Sequence, residues 1–183
     1  VQSDMLNAYL RKHPETEAQL VGLQSTLYTE YVQLLVNKDS GIEAITELDS
    51  NIHIVYVGPR GSGTHSAWEG FVLQDPKYGE FTTRYASYEE ALNQVSDSNS
   101  AVMMFVAGLN SPLLQEANDK YGHKVNIVTI DEQHFSTSVD QFGNTIYDVA
   151  TIPDDTYPNL QVGWLFGFGD NSLETLSVDA VLI

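Results

Sequence analysis

The chain has 183 residues, of which 42% are hydrophobic, a balance that suits one compact domain or two small lobes around a packed core and excludes a disordered tail. With 25 acidic against 8 basic side chains the formal net charge is -17, so the surface repels a phosphate backbone and argues against nucleic acid as a partner. There is no cysteine, which excludes a disulfide framework and any thiolate metal site.

The acidic residues are scattered rather than blocked, as on a solvating face. No apolar run approaches the roughly 20 residues that a membrane span needs, and nothing at the start reads as a signal peptide. Because Val1 opens directly into "VQSDMLNAYL", the expectation is a processed or excised piece whose signal peptide has been removed or lies outside the chain.

Residues 4–13 place Met5, Leu6, Tyr9 and Leu10 at helical spacing, and Pro14 ends the pattern. "LYTEYVQLLVN", residues 27–37, reads as a long strand or crossover that "KDSG" breaks. A rhythm follows, with strands expected at "IHIVYV" (52–57), "FTTRYA" (81–86), "AVMMFVAG" (101–108) and "KVNIVTI" (124–130). Helices are expected between them at "SAWEGFVLQD", "SYEEALNQVS" and "SPLLQEANDKYG". Nearly continuous apolar strands alternating with helices predict an α/β fold with a mostly parallel sheet and helices on both faces. Ser66 with Glu69, and Ser87 with Glu90, each fit a capping box, and Pro112 after Ser111 suits a first helical turn. After Ile130 the pattern loosens, and two apolar stretches follow, "VGWLFGFG" and "VDAVLI", placed to cross back to a different sheet. Asp154 and Asp155 in "IPDDTYP" read as turn formers.

The stretch "VYVGPRGSGTHSAWEGF", residues 55–71, carries an apolar strand through two glycines bracketing a serine into a helix. A Walker phosphate loop requires a lysine where "GPRGSGTH" has threonine. A hydrolase elbow requires glycine where Arg60 stands, and no histidine is singled out by spacing to serve Ser62. Two readings fit better. The glycines allow close approach of a ligand while hydroxyls and free N–H groups at a helix start face an anion, or the turn is ordinary and its Ser or Thr caps the helix. The histidines show no metal-binding spacing, and no metal or cofactor is expected.

"VQSD", "LYTEYVQLLVNKDSGIEAITELDSNIHIVYVGPRGSGT", "VAGLNSPLLQEA" and "IPDDTYPNL", in that order, resemble the TAXI family, the solute receptors of tripartite ATP-independent periplasmic (TRAP) transporters. The resemblance covers about residues 1–160 and implies a two-lobed periplasmic binding protein that closes on a small organic acid or amino acid. It implies residues 1–37 as a partial first lobe and hinge, 38–155 as the second-lobe α/β domain, and 156–183 as the return to the hinge. Set against the family pattern, the chain is expected to lack an N-terminal segment before "QSD" and the helical end after the final strand.

By the same resemblance the ligand faces Ser62, Gly63 and Thr64, together with Gln2, Ser3, Tyr28, Glu30 and Gly108. Arg60 is a carboxylate clamp or the partner of a surface acid. The role implied is noncatalytic and periplasmic, binding a small anionic or zwitterionic solute for the membrane subunits of a TRAP transporter. The alternative is a ligand-sensing or protein-interaction module that reuses the same lobe, and a third is a small hydrolase acting through Ser62.

Overall fold

The computed structural model describes residues 1–19, 24–139, 145–161 and 172–182. In chain order the main elements are α1 (Ser3–Lys12), β1 (Gln24–Asn37), β2 (Ile54–Tyr56), α2 (Gly63–Gln74), β3 (Thr82–Arg84) and α3 (Tyr88–Asp97). They continue with β4 (Ala101–Ala107), α4 (Pro112–Tyr121), β5 (Val125–Val128), β6 (Asp148–Ile152) and β7 (Leu173–Leu182). The strands and helices expected between residues 52 and 130 are all present.

The strands form one sheet in the order β3-β2-β4-β1-β7-β6, with β5 also on β1. β2 runs parallel to β3 and to β4, while the second half of β1 lies antiparallel between β4 and β5. β2, β3, β4 and β5 therefore share one direction, and β1 is the reversed strand among them. Its first half carries β7, which in turn carries β6, both antiparallel. Thus residues 178–182 of "VDAVLI" return to the same continuous sheet, joined through β1, rather than to a separate one.

Side-chain alternation divides the core between two faces. Val32, Leu34 and Val36 of β1 join Val102, Met104 and Val106 of β4 beneath Ala67, Trp68 and Phe71 of α2. Leu35, Met103 and Phe105 point the other way, against Ala91, Leu92 and Val95 of α3 and Leu114 and Ala117 of α4. Burial on both sides is why "VQLLV" and "AVMMFV" read as unbroken apolar runs.

Two helix starts carry the expected serine caps. Ser87 accepts from the Glu90 N–H at 3.2 Å, and Ser111 accepts from the Leu114 N–H at 3.4 Å with Pro112 in the first turn. The third differs. α2 begins at Gly63, its cap is Ser62, which accepts from the His65 N–H at 3.2 Å, and Ser66 is already inside the helix. The expected Ser66–Glu69 box does not form because Gly61, in the left-handed region with φ 78°, completes the turn first and leaves Ser62 as the earliest available cap.

β6 was not expected, since only Ile152 of its five residues is buried and no apolar alternation marks it. Asp154 and Asp155 lie in a turn, where the Thr156 N–H bonds the Pro153 carbonyl at 3.1 Å. The stretch "VGWLFGFG" lies outside the described residues. Among the described residues no helix is long and apolar enough to cross a membrane.

Candidate functional site

β2 and β4 are parallel; β2 ends at Tyr56, opposite Met103, and passes into the glycine turn of residues 57–62, while β4 runs on to Ala107 before Gly108. The crevice outside the carboxyl ends of parallel strands is where open α/β sheets hold ligands. α2 starts there. Ser62 takes the His65 N–H with its hydroxyl and the Ser66 N–H with its carbonyl, at 3.2 and 3.1 Å. The N–H groups of Gly63 and Thr64 meet no acceptor among the described residues. A helix of this length presents such groups, with the positive end of its dipole, to an anion.

Glycine at position 63 is required by contact rather than by backbone angle, since a Cβ there would collide with the side-chain amide of Gln2. Gln2 is the residue before α1, 7% exposed, and its backbone bridges Ala180 of β7. Instead of capping its own helix, its amide nitrogen donates to Glu30 Oε2 on β1, 28 residues away. Its amide oxygen is buried without a partner. A carboxylate only accepts, so the nitrogen must be the atom facing Glu30 and the oxygen is left as an acceptor over Gly63.

Tyr28, two residues before Glu30 on the same face of β1, is 55% exposed. The Glu30 charge, some burial and the hydrogen bond that Glu30 accepts hold the Tyr28 hydroxyl above its ordinary value. Gly108 packs beside it: a Cβ there would touch the Tyr28 ring at 4.0 Å. Ser3 is the half-buried first residue of α1. Gln2 thus links Glu30 to Gly63, with Tyr28 beside Glu30 on β1 and Gly108 near the Tyr28 ring.

Thr64 and Arg60 are differently placed. Thr64 is 1% exposed, and its hydroxyl oxygen accepts from the Val106 N–H at 3.1 Å and from the Tyr88 hydroxyl at 3.2 Å. It therefore pins α2 to β4. Replacing Thr64 by valine leaves a buried N–H unpaired and is expected to destabilise the fold by about 1–3 kcal/mol. Urea unfolding checks this, and an unchanged midpoint would remove Thr64 from that role. Arg60 is exposed, with its guanidinium 3.7 Å above the Tyr85 ring, and Tyr85 in turn meets His65 of the first α2 turn edge-on at 5.1 Å. No acidic residue pairs with Arg60 among the described residues.

Sequence reasoning missed the acid beneath this site. Asp4 is 8% exposed; Oδ1 accepts from the Met5 N–H at 2.7 Å and Oδ2 from the Tyr147 hydroxyl at 3.0 Å. Burial pushes its carboxyl above the ordinary value and the nearby Glu30 charge adds to this, while the two hydrogen bonds oppose it. Since the folded value is raised, Asp4 contributes stability below the ordinary carboxylate range and loses it as pH rises through the raised value. At neutral pH the Tyr147 donor is then most needed. Tyr147→Phe is expected to cost about 1–3 kcal/mol at pH 7, with the loss shrinking as pH falls and Asp4 takes up its proton. A loss that does not change with pH, by urea unfolding, would contradict this.

Among the described residues no group of three or more His, Asp or Glu side chains is placed to hold a metal ion. His53 and His65 are instead hydrogen-bonded, their Nδ1 atoms accepting from the Asp49 and Gly61 N–H groups at 2.9 and 3.1 Å.

The model of the NMT1-like family matches residues 13–162. Among curated proteins nothing matches the chain. Among solved structures it is similar to a double mutant of the VFT2 domain of BvgS from Bordetella pertussis, with 13% identity, a TM-score of 0.37, and coverage of 68% of this chain and 54% of that one. It is also similar to a substrate binding domain assigned to a molybdenum ABC transporter from Clostridium difficile, with 12% identity, a TM-score of 0.41, and coverage of 94% and 59%. The chain spans 54% and 59% of the length of these two structures.

Proposed function

We propose that this chain, which belongs to the NMT1-like family, is the ligand-binding part of an extracytoplasmic solute receptor of the TAXI type, serving a TRAP transporter. Its ligand is a small carboxylate or amino-acid-like solute held at the glycine turn, and its role is binding rather than catalysis. The observation that carries the reading is the convergence of Gln2, Tyr28, Glu30, Gly63 and Gly108 where α2 begins with two N–H groups free to take an anion.

In this reading residues 38–155 form the second lobe, while residues 1–37 and 156–183 belong to the hinge and first lobe. β1 supports it, because its first half pairs with β7 and its second half with β4 and β5. Ligand bridging the α2 end and the residues on the first half of β1 favours a closed arrangement, which the membrane subunits distinguish from the open one.

A thermal-shift panel of organic acids, amino acids and simple inorganic anions against the 183-residue chain tests the function. A ligand at 100 times its Kd stabilises the folded state by about 2.7 kcal/mol, or roughly 5–10 °C for a domain of this size. No shift from any compound at millimolar concentration would overturn the receptor reading.

A further inference from the structure

We infer that the site selects a solute carrying a protonated amine beside its carboxylate, an α-amino acid rather than a plain organic acid, with Gln2 and Glu30 as the residues that read the amine. This rests on the reading of the α2 end as a solute site. The argument begins with the side-chain oxygen of Gln2. It belongs to a residue only 7% exposed, it has no hydrogen-bond partner, and it lies against Gly63 in the first turn of α2. A buried acceptor without a donor is costly, and a native fold retains one where a ligand or ordered water completes it. The missing group must donate, and it must do so next to the N–H groups of Gly63 and Thr64, which require an acceptor. A solute with a donor and a carboxylate on adjacent atoms satisfies both.

Charge decides which donor. Glu30 holds the amide of Gln2 and takes the Tyr28 hydroxyl, and Asp4 lies buried beneath with its oxygens bonded to Tyr147 and Met5. Among the described residues no lysine, arginine or histidine forms an ion pair with Asp4 or Glu30. Two acids so close that the Glu30 charge adds to the cost of ionising Asp4, with no cation paired to either, favour an incoming ammonium over a neutral hydroxyl.

The test is calorimetric titration of the full chain with matched pairs, each an L-α-amino acid and the 2-hydroxy acid bearing the same side chain. The expected result is that the amino acid of a binding pair binds at least about tenfold more tightly than its hydroxy counterpart, as for a charge-assisted hydrogen bond. Glu30→Gln, which keeps the shape of the side chain and removes its charge, is expected to bring the ratio of the two affinities within a pair close to one, and a preference left at about tenfold or more in that variant would remove Glu30 as the reader of the amine. Equal or reversed affinities within the pairs in the unsubstituted chain would overturn the inference and leave the receptor reading intact. Binding of organic acids alone would do the same, whereas no binding by any compound would defeat both.

Discussion

Phe71→Ala is expected to destabilise the fold by about 3–5 kcal/mol, a large part of the about 5–15 kcal/mol that holds a domain together. Phe71 is fully buried on the inner face of α2 and is the hub of an aromatic cluster. Its ring centre lies 4.5 Å from that of Phe135, 5.8 Å from those of Tyr78 and Tyr147, and 6.5 Å from that of Trp68. These partners come from α2, from the short helix of Pro76–Glu80, from the segment after β5 and from the approach to β6, so the ring joins parts of the chain far apart in sequence. Truncation leaves a cavity that cannot collapse, because Tyr78 is fixed by Glu132 at 2.7 Å and Tyr147 by Asp4 at 3.0 Å. Phe71→Leu, which refills most of the volume, is expected to cost less than half as much. Urea unfolding with an unchanged slope is the measurement, and a loss below about 1 kcal/mol for Phe71→Ala would show that α2 is not anchored through this ring.

The fold was legible where physics is local. Continuous apolar strands and Ser-initiated helices mark β2, β4, β5, α3 and α4 without ambiguity, since each signal is carried by residues a few positions apart. The direction of β1 was not legible. Burial on both faces yields the same residue pattern whether a strand runs parallel or antiparallel, so "VQLLV" announces a central strand and is silent about its reversal. The capping error at Ser66 has a related cause: both Ser62 and Ser66 are acceptable caps, and the left-handed Gly61 that favours the first is a backbone fact with no side chain to report it.

The candidate site shows the same division. That glycines and a serine cap open a helix after a strand was readable from residues 55–71. That Gly63 lies beneath Gln2, or that Tyr147 donates to Asp4 across 143 positions, was not, because nothing in either neighbourhood points to the other. Asp4 itself sits in the quoted "VQSD" but looks like any acid of a helix first turn until its burial is known.

A chain with a net charge of -17 slows the approach of an anion over distances of about 10 Å or less at ordinary salt, whereas a zwitterion feels little net force. The field of the whole protein and the acids beneath Gln2 therefore act in the same direction. Both disfavour a plain carboxylate, whereas the two N–H groups at the start of α2 and Arg60 in the turn before it favour one. A solute bearing both charges is the one for which neither influence is a penalty.

Gly58→Ala is expected to cost about 2–5 kcal/mol, the other large effect, and its origin separates into two parts. The backbone at Gly58 has φ 74°, in the left-handed region, where an L-residue costs about 1–2 kcal/mol. The added methyl group would also stand 2.6 Å from Cε1 of Tyr88 and 3.0 Å from the Ser62 hydroxyl oxygen. Tyr88 cannot easily give way, because its ring meets Phe105 edge-on at 4.8 Å and its hydroxyl holds Thr64. Overpacking of this kind costs about 1–3 kcal/mol. Moving Ser62 would loosen the α2 cap as well. A double-mutant cycle with Tyr88→Leu divides the terms: removing the ring relieves the clash, and about 1–2 kcal/mol of the Gly58→Ala loss should remain as backbone strain. If Gly58→Ala alone lies within about 0.5 kcal/mol of the unsubstituted chain, the turn does not hold Gly58 at positive φ, and the position of Ser62 does not depend on it.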